Sequence, residues 1–368
     1  MERVLPQRLY LDHAATTAMT SAARAGLLRG VEIWANPSSP HAEGREARAA
    51  LEQARKEIGA AYGWTGEILL TSGASESLWI ALRRSIGGRR LVSRVEHDAA
   101  MRAAGERVDF IDVAADGRVC LTDLRNRLAL GAAGDAMTAA ERPLVCIQWC
   151  NSETGVLQPI ADIAQIVHEA GGLLLVDAAQ MPASPALADL ADFVALSAHK
   201  RGGPPGIGAL LVRNLATLVP TGGQERGYRA GTENLPAALG YAAALDEPEP
   251  DHTTLRQRLD DAVRRSGGIV VGEGSPRHPA IGSYRLPGVS ANAQLIRLDL
   301  EGIAVSAGSA CASGSLKPSH VLRAMRWTEE DTREVIRVSF GRNTTEADIE
   351  RFIQAWRKIA RGARMLAA

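Results

Sequence analysis

Between residues 65 and 215 the chain repeats one pattern: a short apolar run, a polar or small-residue break, then a stretch with helical spacing. The runs lie at 68–70, 91–93, 108–113, 144–149, 173–176, 193–196 and 207–212. Strands that alternate with helices predict an α/β fold with a mostly parallel, doubly wound sheet. One intervening stretch, 160–170, is amphipathic and stops at Gly171-Gly172. Upstream, 41–62 reads as a helix, because Ala47, Leu51, Ala54, Ile58 and Ala61 recur at three- and four-residue steps.

The pattern changes at residues 246–251, where Asp-Glu-Pro-Glu-Pro-Asp marks a boundary or surface turn. A helix at about 254–266, strands at 269–271 and 335–340, and a terminal helix at 346–366 then predict a smaller α+β unit. Residues 131–141, rich in Ala and Gly, read as a surface loop. With 46% hydrophobic and 23% charged residues the chain can bury a large core, which excludes disorder as its main state. Lys plus Arg number 42, and so do Asp plus Glu. That balance gives no electrostatic reason to expect nucleic acid or an anionic membrane as partner. The four cysteines (Cys120, Cys146, Cys150, Cys311) are too few for a disulfide framework and form no C-x-x-C pair, so no metal site is expected. The first residues lack a signal-peptide core and no run is long enough for a membrane span. The expected compartment is the cytoplasm, where a thiol of interest is catalytic rather than structural.

Three strand ends carry candidate chemistry. Leu173-Leu174-Leu175-Val176 runs into Asp177, at the carboxyl edge where open α/β sheets bind ligands. Alone, Asp177 reads as a helix cap. The 193–196 run leads into Ser197-Ala198-His199-Lys200. A lysine there is usually a solvated surface group, but one with a lowered pKa can form a Schiff base. An aspartate level with it can hold the pyridinium nitrogen of pyridoxal phosphate, with Ser197 and His199 on the phosphate. Ser72-Gly73-Ala74-Ser75-Glu76 offers small residues at a helix start, which suits a phosphate as well as a plain cap. Together the three edges favour the cofactor.

Further on, 305–315 consists almost entirely of small residues around Cys311 and reads as a mobile loop, about 306–320, with a reactive thiol. Cys120, Cys146 and Cys150, in or beside strand-like runs, read as core residues. In 335–340, Ile336, Val338 and Phe340 face one way and Val335, Arg337 and Ser339 the other. Arg337 could fork a carboxylate. Taken alone, it reads as a surface residue on an edge strand.

This combination resembles the pyridoxal-phosphate cysteine desulfurases of the class V aminotransferase superfamily. The resemblance runs from Tyr10-Leu11-Asp12-His13-Ala14-Ala15-Thr16-Thr17 and Asn36-Pro37-Ser38-Ser39-Pro40-His41 to Ser339-Phe340-Gly341-Arg342, nearly the whole chain. Gly308-Ser309-Ala310-Cys311 with Leu316-Lys317-Pro318-Ser319-His320 looks like the NifS/IscS group. It implies fold type I, with residues 15–246 as the large cofactor-binding domain. Residues 1–14 and 247–368 would form the small domain. The family pattern implies that Lys200 carries the cofactor, Asp177 pairs with its ring nitrogen and Gln180 contacts its phenolic oxygen. His97 would stack on the ring and move protons. Ala74, Ser75, Ser197 and His199 would hold the phosphate. Thr232 would reach the phosphate of a second subunit, which implies a homodimer with shared sites. Arg337, with Asn36, would hold the carboxylate of L-cysteine, and Cys311 would take its sulfur as a persulfide for an acceptor protein in iron–sulfur cluster or thio-cofactor synthesis.

Two features depart from that pattern. Ser152, in Cys150-Asn151-Ser152-Glu153-Thr154-Gly155, stands where the family usually has a cofactor-contacting asparagine, and its shorter side chain would reach through water. The chain also stops soon after the terminal helix, without the tail that docks a scaffold in some members. The alternatives are another class V activity, such as selenocysteine lyase or aminotransferase, and a non-catalytic sulfur-relay homologue.

Overall fold

The computed structural model describes residues 8–130, 142–308 and 318–367. The expected loop at 131–141 and Cys311 lie outside them. Its strands are β1 (Leu9–Tyr10), β2 (Glu67–Thr71), β3 (Arg90–Ser93), β4 (Asp109–Ile111), β5 (Leu144–Gln148), β6 (Leu173–Asp177), β7 (Phe193–Ser197) and β8 (Gly208–Val212), then β9 (Ile269–Val270), β10 (Ile281–Arg285), β11 (Ile303–Ala304), β12 (Ser306–Ala307) and β13 (Val335–Ser339).

The seven runs of the first pattern form one sheet in the order β2-β8-β7-β6-β5-β3-β4. Every strand in it points the same way except β8, which is antiparallel to both β2 and β7. The runs read as continuously apolar because both faces are covered. Leu174, Val176, Val194 and Leu196 join one core with the helices Ala42–Ala61, Ile160–Glu169 and Leu235–Leu245. Leu173, Leu175, Phe193 and Ala195 join the opposite core, with the helices Ala74–Arg84 and Asp98–Ala104. Side-chain alternation thus splits each strand between two layers.

A second, antiparallel sheet has the order β12-β13-β10-β9. Its core gathers Tyr284, Ile336, Val338, Phe352 and Trp356, and the amino-terminal Leu9 and Leu11 pack into it. The helices Thr253–Arg265, Ala291–Leu300 and Glu346–Ala367 complete this layer. β13 lies inside the sheet, not at its edge, and Arg337 is 7% exposed, so the surface reading of this arginine fails. Among the described residues no helix is long and apolar enough to cross a membrane.

Two sequence expectations need correction. Residues 306–320 are not one loop: Ser306 and Ala307 are buried in β12, opposite Arg337 and Ile336. At the other end Ser319 caps the helix His320–Ala324. Small side chains suit this close pairing as well as they suit a loop. Cys120 is half-buried at the start of the helix Leu121–Ala129 rather than in the core, whereas Cys146 and Cys150 are buried.

Candidate active site

The strand ends of the large sheet meet at one edge. Asp177 closes β6, level with Gln148 of β5 and Ala195 of β7. No helix follows it; its Oδ1 accepts the Ala179 N–H at 2.9 Å and fixes a turn instead. After β7 the chain makes a 3-10 turn, Ala198–Lys200, and then returns as β8. Ser197, Gly208 and Thr71 stand in one row across β7, β8 and β2. A Cβ on Gly208 would come within 2.6 Å of the Gly73 Cα, so glycine is what lets the start of the Ala74–Arg84 helix close on the sheet. Gly73 has φ +148, and nothing lies within 4 Å of its Cβ position.

From β3, Val95-Glu96-His97 extends over the same edge. His97 caps the Asp98–Ala104 helix by accepting the Ala99 N–H at Nδ1, 3.1 Å away, which puts the ring proton on Nε2. Burial and the nearby Lys200 charge lower its pKa against the pull of Asp177, so the ring is neutral at pH 7. Glu96 is wholly buried, and burial, reinforced by Asp177, pushes its carboxyl well above the usual range. It takes the Gln148 N–H at Oε1, 2.8 Å away. Burial likewise raises the Cys146 thiol, and the Cys150 thiol to about 12, which leaves both unreactive.

The small sheet supplies the facing wall. Arg337 donates to the Ser152 carbonyl at 2.9 Å and to Asp12 Oδ1 at 2.7 Å, while its buried Nε has no hydrogen-bond partner among the described residues. Asn151 shapes the turn before it: Oδ1 accepts from the Glu153 and Thr154 N–H groups at 3.0 and 2.8 Å. Glu153 is buried, which raises its carboxyl; Ser319, His320 and Arg337 act against that shift.

These walls enclose a cavity of about 800 Å³. Ala74, Ser75, His97, Ser152, Asp177, Ser197, His199, Lys200 and Arg337, all expected from the sequence, line it. Gln180 does not: its Nε2 donates to the Ala14 carbonyl at 2.9 Å, and it lines a smaller cavity of about 420 Å³ that Lys200 also borders. Asn36 and Thr232 are exposed, and Asn36 Oδ1 accepts the Ser38 N–H at 2.9 Å. Asp12, Glu96, Glu153 and His320 also line the cavity and are not singled out by the sequence, although Asp12, Glu153 and His320 lie inside motifs that are and Glu96 is next to His97. Among the described residues no cluster could hold a metal ion.

Residues 9–352 match the family model described as aminotransferase class-V. The chain belongs to that family. A cysteine desulfurase of Gluconacetobacter diazotrophicus is 36% identical, over 94% of this chain and 91% of that protein. The solved NifS-like protein of Rickettsia africae superposes with a TM-score of 0.85 at 30% identity, covering 96% of this chain and 99% of that one. SspA, solved in complex with cysteine, gives a TM-score of 0.76 at 26% identity, over 92% of this chain and all of that one. The family is that of the NifS/IscS-type cysteine desulfurases, which are pyridoxal-phosphate enzymes of fold type I.

The residues present fit that cofactor. Gly73 and Gly206 both border the cavity, and each leaves open the space a Cβ would fill. The helix Ala74–Arg84 begins there, and backbone N–H groups at such a start attract phosphate. Ser75, Ser197 and His199 add donors. Burial and Lys200 lower the His199 pKa, so its ring binds as a neutral group. Glu76, in the first turn, accepts the Ser72 N–H, and Arg229 balances its charge with Nε 3.1 Å from Oε1. Asp177 offers a carboxylate on the same floor as Lys200, the pairing that a pyridinium ring and its attachment point require.

Proposed function

We propose that this chain is a cysteine desulfurase that takes L-cysteine, releases L-alanine and passes sulfur on from Cys311. The observation that carries this reading is the convergence of Asp177, His97, Lys200 and Arg337 on one cavity, whose rim includes both described ends, Gly308 and Pro318, of the Cys311 segment. A plain aminotransferase has no use for that cysteine.

Bound in the cavity, pyridoxal phosphate supplies an electron sink at the substrate α-carbon. Arg337, on the cavity wall, holds the substrate carboxylate. Lys200 removes the α-proton and returns it at product release. His97, neutral with its proton on Nε2, lies beside Lys200 and Asp177 and takes part in proton transfer through Nε2 alone, its Nδ1 being held by the Ala99 N–H. Asp177 keeps its carboxylate aimed into the site through the Ala179 bond. The Cys311 thiolate attacks the substrate sulfur: an S–S bond forms, the Cβ–S bond breaks, and its electron pair stays with carbon, which is protonated to alanine. A thiol reductant or an acceptor protein then takes the outer sulfur from Cys311.

The reading includes a homodimer. Thr232 is exposed on a segment that Arg229–Glu76 and the buried Arg55–Glu225 pair, 2.6 Å apart, tie to this chain's own body. It does not line this chain's cavity, which supports its serving a neighbour. Leu28, Val31 and Trp34 are exposed at the end of the Ser21–Ile33 helix and supply apolar surface for that contact.

The test is to incubate the pyridoxal-phosphate-loaded protein with L-cysteine and a thiol reductant and to measure alanine and sulfide together. Equal amounts from the wild type, lost in Cys311→Ala, are expected. No sulfide from the loaded wild type, or full activity in Cys311→Ala, would overturn the reading.

A further inference from the structure

We infer that Glu153 is a positioning residue for sulfur transfer, because its carboxylate bonds to Ser319 and abuts Gly308, on the two sides of the segment that carries Cys311. The inference rests on the role given to Cys311 above. Ser319 Oγ donates to Glu153 Oε2 at 2.6 Å, and the same hydroxyl accepts the Leu322 N–H at 3.1 Å as the cap of its helix. The hydroxyl therefore has one proton, and Glu153 takes it. From the other end, Gly308 approaches the same oxygen so closely that a Cβ there would overlap Oε2. Gly308 is not among the glycines with positive φ. Its missing side chain serves the carboxylate, not the backbone.

Glu153 is itself fixed. Its N–H donates to Asn151 Oδ1 at 3.0 Å, and its carbonyl accepts from Ser283 Oγ of β10 at 2.7 Å. The neighbouring Ser152 carbonyl accepts from Arg337, and Ser306, two residues before Gly308, pairs with Arg337 across β12 and β13. His320, next to Ser319, donates from Nε2 to the Glu96 carbonyl at 2.9 Å, beside His97. One turn thus relates the group proposed to hold the substrate carboxylate to residues on both sides of the Cys311 segment. Glu153 touches neither reacting atom; it acts by setting the span between those residues.

The experiment uses the holoenzyme and follows alkylation of Cys311 by limiting iodoacetamide, read as peptide mass, beside kcat and KM for L-cysteine. The visible spectrum of the cofactor checks folding. Ser319→Ala removes the donor, and Gly308→Ala displaces the acceptor. Each is expected to raise the alkylation rate about tenfold, the factor that goes with losing a hydrogen bond to a carboxylate. Each should also lower kcat with little change in KM. The double variant is expected to do no more than either single change, since both break one contact. Glu153→Gln, which keeps an oxygen for Ser319, should recover most of the loss seen in Glu153→Ala. Unchanged alkylation in both single variants, or fully multiplicative effects in the double variant, would overturn the inference. Desulfurase activity surviving in Cys311→Ala would overturn the reading of Cys311 instead, and the alkylation rates, which need no turnover, would still decide the role of Glu153.

Discussion

The two sheets contribute to the cavity in different ways. The large sheet delivers its groups from strand ends and the turns just beyond them: Asp177 at the end of β6, Ser197 at the end of β7 with Lys200 just after it, and His97 after β3. The small sheet delivers Arg337 from the middle of a strand, flanked by partners on both sides. Groups at strand ends can move by a turn's adjustment and suit proton transfer. A group in a strand interior is held by the ladder and suits holding a substrate still. The difference teaches that reaction and retention are assigned to separate layers.

Replacing Lys200 with alanine should break the first half of this comparison most severely. Sulfide release is expected to fall at least about a thousandfold, through kcat, because a general base and attachment point is lost. A loss confined to KM would mean that the strand-end groups only bind. Arg337→Ala should act mainly on KM, with kcat/KM for L-cysteine falling by roughly 10- to 100-fold. Arg337→Lys should recover only part, because a lysine cannot fork. A kcat loss as large as that of Lys200→Ala would erase the distinction between the layers.

A gentler test lies at the seam between the sheets. His278 borders the smaller cavity, where burial and the charges of Arg201 and Arg256 lower its pKa to about 3. Its folded pKa lies below its unfolded one, so its neutral form stabilises the protein above about pH 6.5. That contribution is lost as pH falls from there toward 3. Buried Glu96, Glu153 and Glu225, whose carboxyls are raised, act with the opposite sign above their usual range. The useful quantity is therefore a difference. Between pH 6 and 4 the wild type should lose stability relative to His278→Asn by up to roughly 1.4 kcal/mol per pH unit, measured by urea unfolding. Parallel curves would place the histidine's environment elsewhere.

The smallest effect is expected in the small-sheet core. Trp356 is wholly buried, and its indole N–H has no partner among the described residues. Trp356→Phe loses packing but relieves that orphan donor, so the two changes should offset to within about 1 kcal/mol. A much larger loss would mean that shape alone governs this core.

Legibility in the sequence followed the same division. Apolar runs ending in Asp177, Ser197 and Thr71 announced both the large sheet and its working edge, because strand, turn and chemistry are contiguous there. β10 carries no strand signal: Ile281-Gly282-Ser283-Tyr284-Arg285 has no apolar run, because Gly282 makes room for Arg256 and Ser283 is turned to Glu153. The helix Leu235–Leu245 is apolar nearly all round, since it lies between others, and so gave no amphipathic signal. Asp12 and Glu153 sat within quoted motifs, but their partners Arg337 and Ser319 are far away in sequence, and no local rule links them. Arg337 alone was best read as a surface residue until β10 and β12 enclosed its strand.

The reversed direction of β8 also governs where this chain can tolerate added length. The stretch 178–192 is an ordinary connection between parallel neighbours, and extra residues there can bulge into solvent without disturbing either strand. The stretch 198–207 closes a hairpin whose two sides are paired along their whole length. A residue inserted there moves Lys200 relative to Asp177 even where β7 and β8 keep their register. Lys200 is therefore carried on the span that sequence drift can lengthen least, and its reach into the cavity is inherited as a fixed dimension.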